Sequence, residues 1–149
     1  MPLLFIDKAQ RDQIIHSMSN HFESLTGDKK TSGWLIVTIH IGIFLLMMYQ
    51  VFIRDSKIEV LMGASWWLLL MATQPIFGGC GALRAERILF EDETWTNMWC
   101  LVLEPAKWLG YPLSSQTFLY LQCFTGLFLT LAVICRVYTV LKRNDNEEK

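Results

Sequence analysis

Two long stretches of this chain, Gly33 to Ile53 and Val60 to Cys80, contain no Asp, Glu, Lys or Arg, and a third charge-free apolar run extends from Thr117 to Cys135. About twenty residues of α-helix rise roughly 30 Å, the thickness of the hydrocarbon core of a bilayer. The chain as a whole is 52% hydrophobic and 18% charged. Those averages alone would fit a soluble domain, so it is the segregation of the charges that excludes a soluble globular fold. A length of 149 residues allows one domain, and a net charge of -1 supplies no basic field for phosphates, so nucleic acid is not an expected partner.

The expected fold is all-α, an integral membrane helical bundle. Three clear transmembrane helices are placed at 34–53, 60–80 and 117–135 within a domain covering 33–141. A short, partly embedded helix is expected at 95–113, an interfacial amphipathic segment at 1–32 and a polar tail at 142–149. The first thirty residues do not read as a signal peptide, because Asp7, Asp12, Glu23 and Asp28 precede the apolar run. Ile15, Met18, Phe22 and Leu25 instead recur at spacings of three and four, the pattern of an amphipathic helix. Such a helix lies along the bilayer, docks a partner or packs on the first span. Gly27 to Ser32 reads as a polar turn. Arg54 to Glu59 is a short charged link that forces the first two spans into a hairpin, and Pro75 predicts a kink near the end of the second. Ala82 to Glu93 reads as a charged surface helix, with Glu86 assigned to its polar face.

The 95–113 segment divides two arguments. Glu104, Pro105 and Lys107 interrupt its apolar run, and an acid or a lysine near the bilayer centre costs about 2.5 to 3.5 kcal/mol. Hydropathy therefore opposes a crossing. Charge bias favours one, since a crossing divides Lys and Arg ten against three, and its absence divides them seven against six.

Trp34, Trp95, Trp99, Trp108 and Tyr111 fall where interfacial rings anchor in the headgroup boundary. Trp66 and Trp67 lie deeper, so one of the two must turn toward neighbouring helices. Polar side chains at membrane depth are the candidate functional residues. His40, Gln74, Glu104 and Lys107 form the candidate polar site, a path for protons or ions if they converge. His40 reads first as a hydrogen-bonded structural histidine, because His16 and His21 lie in the surface segment and leave no second ligand for haem. Glu104 and Lys107 read equally as an i,i+3 pair in a shallow helix. Thr38 with Gly42, and Gly126 with Thr130, are candidate close-packing pairs at i,i+4 spacing. Cys80, Cys100, Cys123 and Cys135 include no C-x-x-C pair, which leaves zinc ribbons and redox dithiols unsupported and disulfides open. The nucleotide, zinc-protease and serine-hydrolase signatures are missing.

An apolar hairpin, the Cys80 to Glu86 stretch leaving its second helix, a short apolar helix stopped by Pro112, and a final span together give a layout over Gly33 to Tyr138. That layout resembles a family of small multi-pass bacterial membrane proteins without an established activity. In that family a proline follows the cysteine and an Asn-Trp step follows the glutamate, whereas Gly81 and Arg87 stand here. The resemblance implies a membrane fold and transfers no functional residue. The function expected from the sequence is a non-catalytic subunit or scaffold of a membrane assembly. Its partners would be the bilayer and other membrane proteins, with no metal or cofactor and no catalytic residue. The alternative is a small transporter or channel using the polar path.

Overall fold

The computed structural model describes residues 7–77, 79–97, 105, 108–110 and 115–147, with the backbone alone at 115–119 and 144–147. The described residues form five helices and no strand: α1 (Lys8–Thr26), α2 (Lys29–Phe52), α3 (Lys57–Phe77), α4 (Gly81–Phe90) and α5 (Ser115–Glu147). Three are long and apolar enough to cross a membrane: α2, α3 and the Tyr120–Arg143 part of α5. Most of the 95–113 segment, including Trp99, Glu104, Lys107 and Tyr111, lies outside the described residues, as does Cys100.

The ends of α1 and the start of α2 are set by capping groups rather than by a change in hydropathy. Asp7 opens α1 with a capping box, its carboxylate accepting from Gln10 N–H at 2.8 Å while Gln10 Oε1 accepts from Asp7 N–H. Gly27, at φ 75°, closes it in the left-handed conformation that glycine adopts without strain. Asp28 accepts from Thr31 N–H at 2.7 Å, so Lys29 to Ser32 form the first turn of α2 and not the polar turn expected there. Pro75 lies inside α3, two residues before its end.

Contacts divide the chain into two compact units, Met1–Ile43 with Met71–Trp99, and Phe44–Leu70 with Cys100–Lys149. In the first unit, Ile15 of α1 is buried with Ile36 of α2 and with Ala85 and Leu89 of α4, flanked by Met18, Phe22 and Phe77. The α1 stripe expected to lie on lipid is therefore largely spent on the protein's own core. Leu25 stays outside it, 65% exposed. Arg84 reaches Asp12 at 2.7 Å and the Phe77 carbonyl at 2.8 Å, joining α1, α3 and α4.

In the second unit, Trp67 is the inward-turned member of the tryptophan pair. It is buried against Phe44 and gives its indole N–H to Thr130 Oγ1 at 3.0 Å. Thr130 passes its own proton to the Gly126 carbonyl. Arg136, six residues further along α5, bonds the Val51 and Arg54 carbonyls and the Asp55 carboxylate. These two ties fix the direction of α5: it runs toward the α2–α3 link, antiparallel to α3 and parallel to α2.

The close approach of α2 and α3 is at Gly63. A Cβ there would lie 2.9 Å from Gln50 Cβ and Val51 Cγ2 and 3.2 Å from the Met47 carbonyl oxygen. The expected pair Thr38 and Gly42 makes no such approach among the described residues, for a Cβ on Gly42 meets nothing within 4 Å there and Thr38 turns its hydroxyl onto the Trp34 carbonyl. We expect Gly63→Ala to cost about 1–3 kcal/mol through overpacking against rigid atoms. Gly42→Ala should be neutral or gain up to about 1 kcal/mol by removing a mid-helix glycine. Unfolding of the two variants by SDS titration from mild detergent checks the contrast.

Candidate functional site

The site is centred on a carboxylate that the sequence assigned to solvent. Glu86 sits in the middle of α4 and is 0% exposed. Leu83 and Leu89, three residues before and after it, are also buried, so all three share the inward face of the helix. A buried carboxylate requires donors on both oxygens. Asn97 gives its amide to Oε1 and Oε2, each at 2.8 Å, and Trp95 gives its indole N–H to Oε2 at 2.9 Å. His40 Nδ1 lies 2.9 Å from Oε1. The chain turns sharply to supply these donors: Glu91 caps α4 at φ 53°, the Arg87 guanidinium holds the Trp95 carbonyl at 2.8 Å, and Asn97 adopts φ 51°. Asparagine tolerates that left-handed backbone better than most residues.

The donors fix the orientation of the network. With both Asn97 N–H groups on carboxylate oxygens, the reverse amide orientation would set oxygen against oxygen. The 3.3 Å between Asn97 Nδ2 and His40 Nδ1 separates two donors that share Oε1. His40 therefore carries its proton on Nδ1, toward Glu86, and turns Nε2 the other way, where Cys80 Sγ stands at 3.5 Å. Cys80, His40 and Glu86 form a continuous relay from sulfur through imidazole to carboxylate. All of its members belong to the first unit.

Cys80 is the N-cap residue of α4 and makes no capping hydrogen bond. Burial pushes its thiol up from the ordinary value of 9.0. The hydrogen bond and charge of His40, with the Leu83 and Ala82 N–H groups of the first turn, more than offset that, and the thiol ends below it. Next to it, Gly79 has φ 126°, a backbone region closed to other residues, and open space where a Cβ would stand. Thus a glycine turn places the sulfur at a helix N-terminus, and among the described residues nothing lies within 4 Å of a Cβ built on Gly79.

Of the candidate polar site His40, Gln74, Glu104 and Lys107, the structure places His40 in this group. The Gln74 side chain makes no hydrogen bond to it, and Glu104 and Lys107 lie outside the described residues. Trp95, expected to hold its donor among headgroups, gives it to Glu86; its ring packs against Phe90 at 4.7 Å and Trp34 at 5.8 Å. Trp34 and Trp108 are 51% and 85% exposed. Cys80, Cys123 and Cys135 are free thiols. Among the described residues no group of three or more His, Cys, Asp or Glu is arranged to hold a metal ion. Sequence reasoning missed Cys80, Glu86 and Asn97. A helical signal for Glu86 was present, because it lies three residues from both Leu83 and Leu89 on the apolar row. Asn97 carried no such signal. Comparison with family models, curated proteins and solved structures finds no match.

Asn97→Ala removes two donors from a fully buried carboxylate and puts alanine at φ 51°, at a cost of about 2–4 kcal/mol. Asn97→Asp should cost more, because it sets carboxylate against carboxylate, and the difference should shrink as pH falls. Denaturant unfolding of the detergent-solubilised variants at two pH values, followed by tryptophan fluorescence, tests both.

Proposed function

We propose that this chain is a small multi-pass integral membrane protein carrying a thiol-based nucleophilic site, with Cys80 as nucleophile, His40 as its base and Glu86 as the residue that positions the imidazole. The observation that carries the reading is the placement of His40, with Nε2 3.5 Å from the Cys80 sulfur and Nδ1 2.9 Å from a wholly buried carboxylate. That is the arrangement in which a base activates a nucleophile while a third group holds the base in one tautomer. Asn97 and Trp95 keep Glu86 in place through N–H groups.

Membrane insertion draws on the uncovered apolar surface of the long helices. Fewer than a quarter of the residues in each spanning window are buried within the protein, and Leu45, Leu69, Phe124 and Leu127 are each more than half exposed. Exposed apolar area of this kind is unfavourable in water and neutral in lipid. The direction of α5 supports three crossings. Antiparallel α3 and α5 require the segment between them to enter and leave on one side, as hydropathy argued and charge bias did not.

The scaffold reading keeps one observation in its favour: Glu86 joins α2, α4 and the 95–97 segment, which an architectural tie would also do. The two readings part at Cys80, because a tie between helices does not need a thiol facing an imidazole.

Two measurements follow. Single cysteines introduced by Asn20→Cys and Asn144→Cys, in chains lacking the native cysteines, should react with a membrane-impermeant thiol reagent from opposite faces of the membrane; labelling from the same face removes the three-span topology. The pH profile of Cys80 alkylation should have its inflection below that of an ordinary thiol. It should rise in His40→Ala and, by a smaller step, in Glu86→Gln. Because an inflection does not depend on accessibility, a profile unmoved by His40→Ala removes the nucleophile reading.

A further inference from the structure

Resting on the thiol-nucleophile reading, we infer that the substrate of the site is a long-chain acyl thioester, whose acyl group is taken onto Cys80 and passed to a second acceptor. The argument begins with where the sulfur stands. Cys80 follows α3 by three residues and faces His40, which lies about three turns into α2 and six residues beyond the half-exposed Trp34. Around the first turns of α2 and α4 are the charged pairs Lys29 with Glu91 and Arg84 with Asp12, at 2.7 Å each. Beyond His40, α2 is free of charge to Phe52, with Gln50 its one amide. A membrane-borne acyl group has the same order: a polar head, a carbonyl at the boundary, and a tail in hydrocarbon. Cys80, three residues beyond the end of α3, stands where the second apolar stretch gives way to the charged α4, which is the level of the carbonyl.

The chemistry closes without an added oxidant or energy source. The Cys80 thiolate adds to the thioester carbonyl carbon, forming a C–S bond and a tetrahedral oxyanion. The N–H groups of the first turn of α4, which no side chain caps and at whose N-cap Cys80 stands, are the donors for that oxyanion. The C–S bond to the leaving thiol then breaks, and the proton held at His40 Nε2 passes to that thiolate. The products are S-acyl Cys80 and a free thiol. One thioester has replaced another, so the step is close to balanced in energy and involves no change of oxidation state. An acceptor hydroxyl, amine or water, deprotonated by His40 Nε2, takes the acyl group and restores the thiol. Cys80 is partly exposed.

The experiment incubates the detergent-solubilised full chain with palmitoyl-CoA, and in parallel with acetyl-CoA, and reads each cysteine by peptide mass. Cys123 and Cys135 are exposed free thiols and serve as internal references. The expected result is a palmitoyl adduct at Cys80, released by neutral hydroxylamine. It should form at least tenfold faster than on either reference thiol and faster than the acetyl adduct. Glu86→Gln, which keeps the shape of the positioning residue, should slow it at least tenfold and leave the reference thiols unchanged. Equal labelling of the three cysteines, or no preference for the long chain, overturns the inference. Absence of the adduct in a protein whose Cys80 alkylation inflection is still lowered overturns the substrate class and leaves the nucleophile standing. Absence of both overturns the two together.

Discussion

One carboxylate with no exposure to solvent organises the first unit. Desolvating a charge costs several kcal/mol, and the cost is met only when both oxygens are bonded with good geometry. Glu86 meets this with donors from three places: His40 on α2, and Trp95 and Asn97 on the segment that leaves α4. Each donor needs local structure of its own. The α4 helix must stop at Phe90 so that the chain can reverse; Glu91 and Asn97 accept left-handed backbone to make that turn; and Arg87 holds the Trp95 carbonyl so that the indole reaches back. Ring packing among Trp34, Phe90 and Trp95 then closes over the segment, and the absence of a Cβ on Gly33 is what lets the Phe90 ring come so near α2.

The second unit uses different means for a similar end. There the ties are one indole N–H on a threonine and one guanidinium that gathers two carbonyls and a carboxylate. Arg136 satisfies carbonyls at the C-terminal end of α2, where a cation also suits the helix dipole. The Asp55 carboxyl is held below the usual carboxylate range by the same guanidinium. A charge that hydropathy would place at the end of a span is, in the folded chain, the clasp that sets the direction of the last helix.

The legible part of the fold was the part governed by solvent. Charge-free stretches located α2, α3 and α5, and the short link at Arg54 to Glu59 required the hairpin. Helix ends were less legible, because Asp28 and Gly27 act through hydrogen bonds and backbone conformation that hydropathy does not weigh. The site was legible at one residue. His40 stood out as a polar group in an apolar run, but its partners lie 40 and 46 residues away and were hidden by their company: Cys80 among apolar neighbours, Glu86 among arginines and acids. Period and polarity describe a residue's own helix, and a long-range hydrogen bond belongs to neither.

Whether such a network is architecture or chemistry turns on what the alternatives would cost. Apolar residues of similar volume could replace a buried ionic cluster at little loss and often at a gain of 1–4 kcal/mol. A sequence under pressure only to join α2 to α4 has an easier solution in leucine and valine, of which its other helices are full. The retained arrangement is also asymmetric in a way that stability does not require. Glu86 receives four contacts from nitrogen atoms, whereas the far nitrogen of His40 is left to a thiol that stands at the start of a helix. The carboxylate end of the relay is fully bonded and the sulfur end is not, which is the asymmetry on which the proposed nucleophile rests.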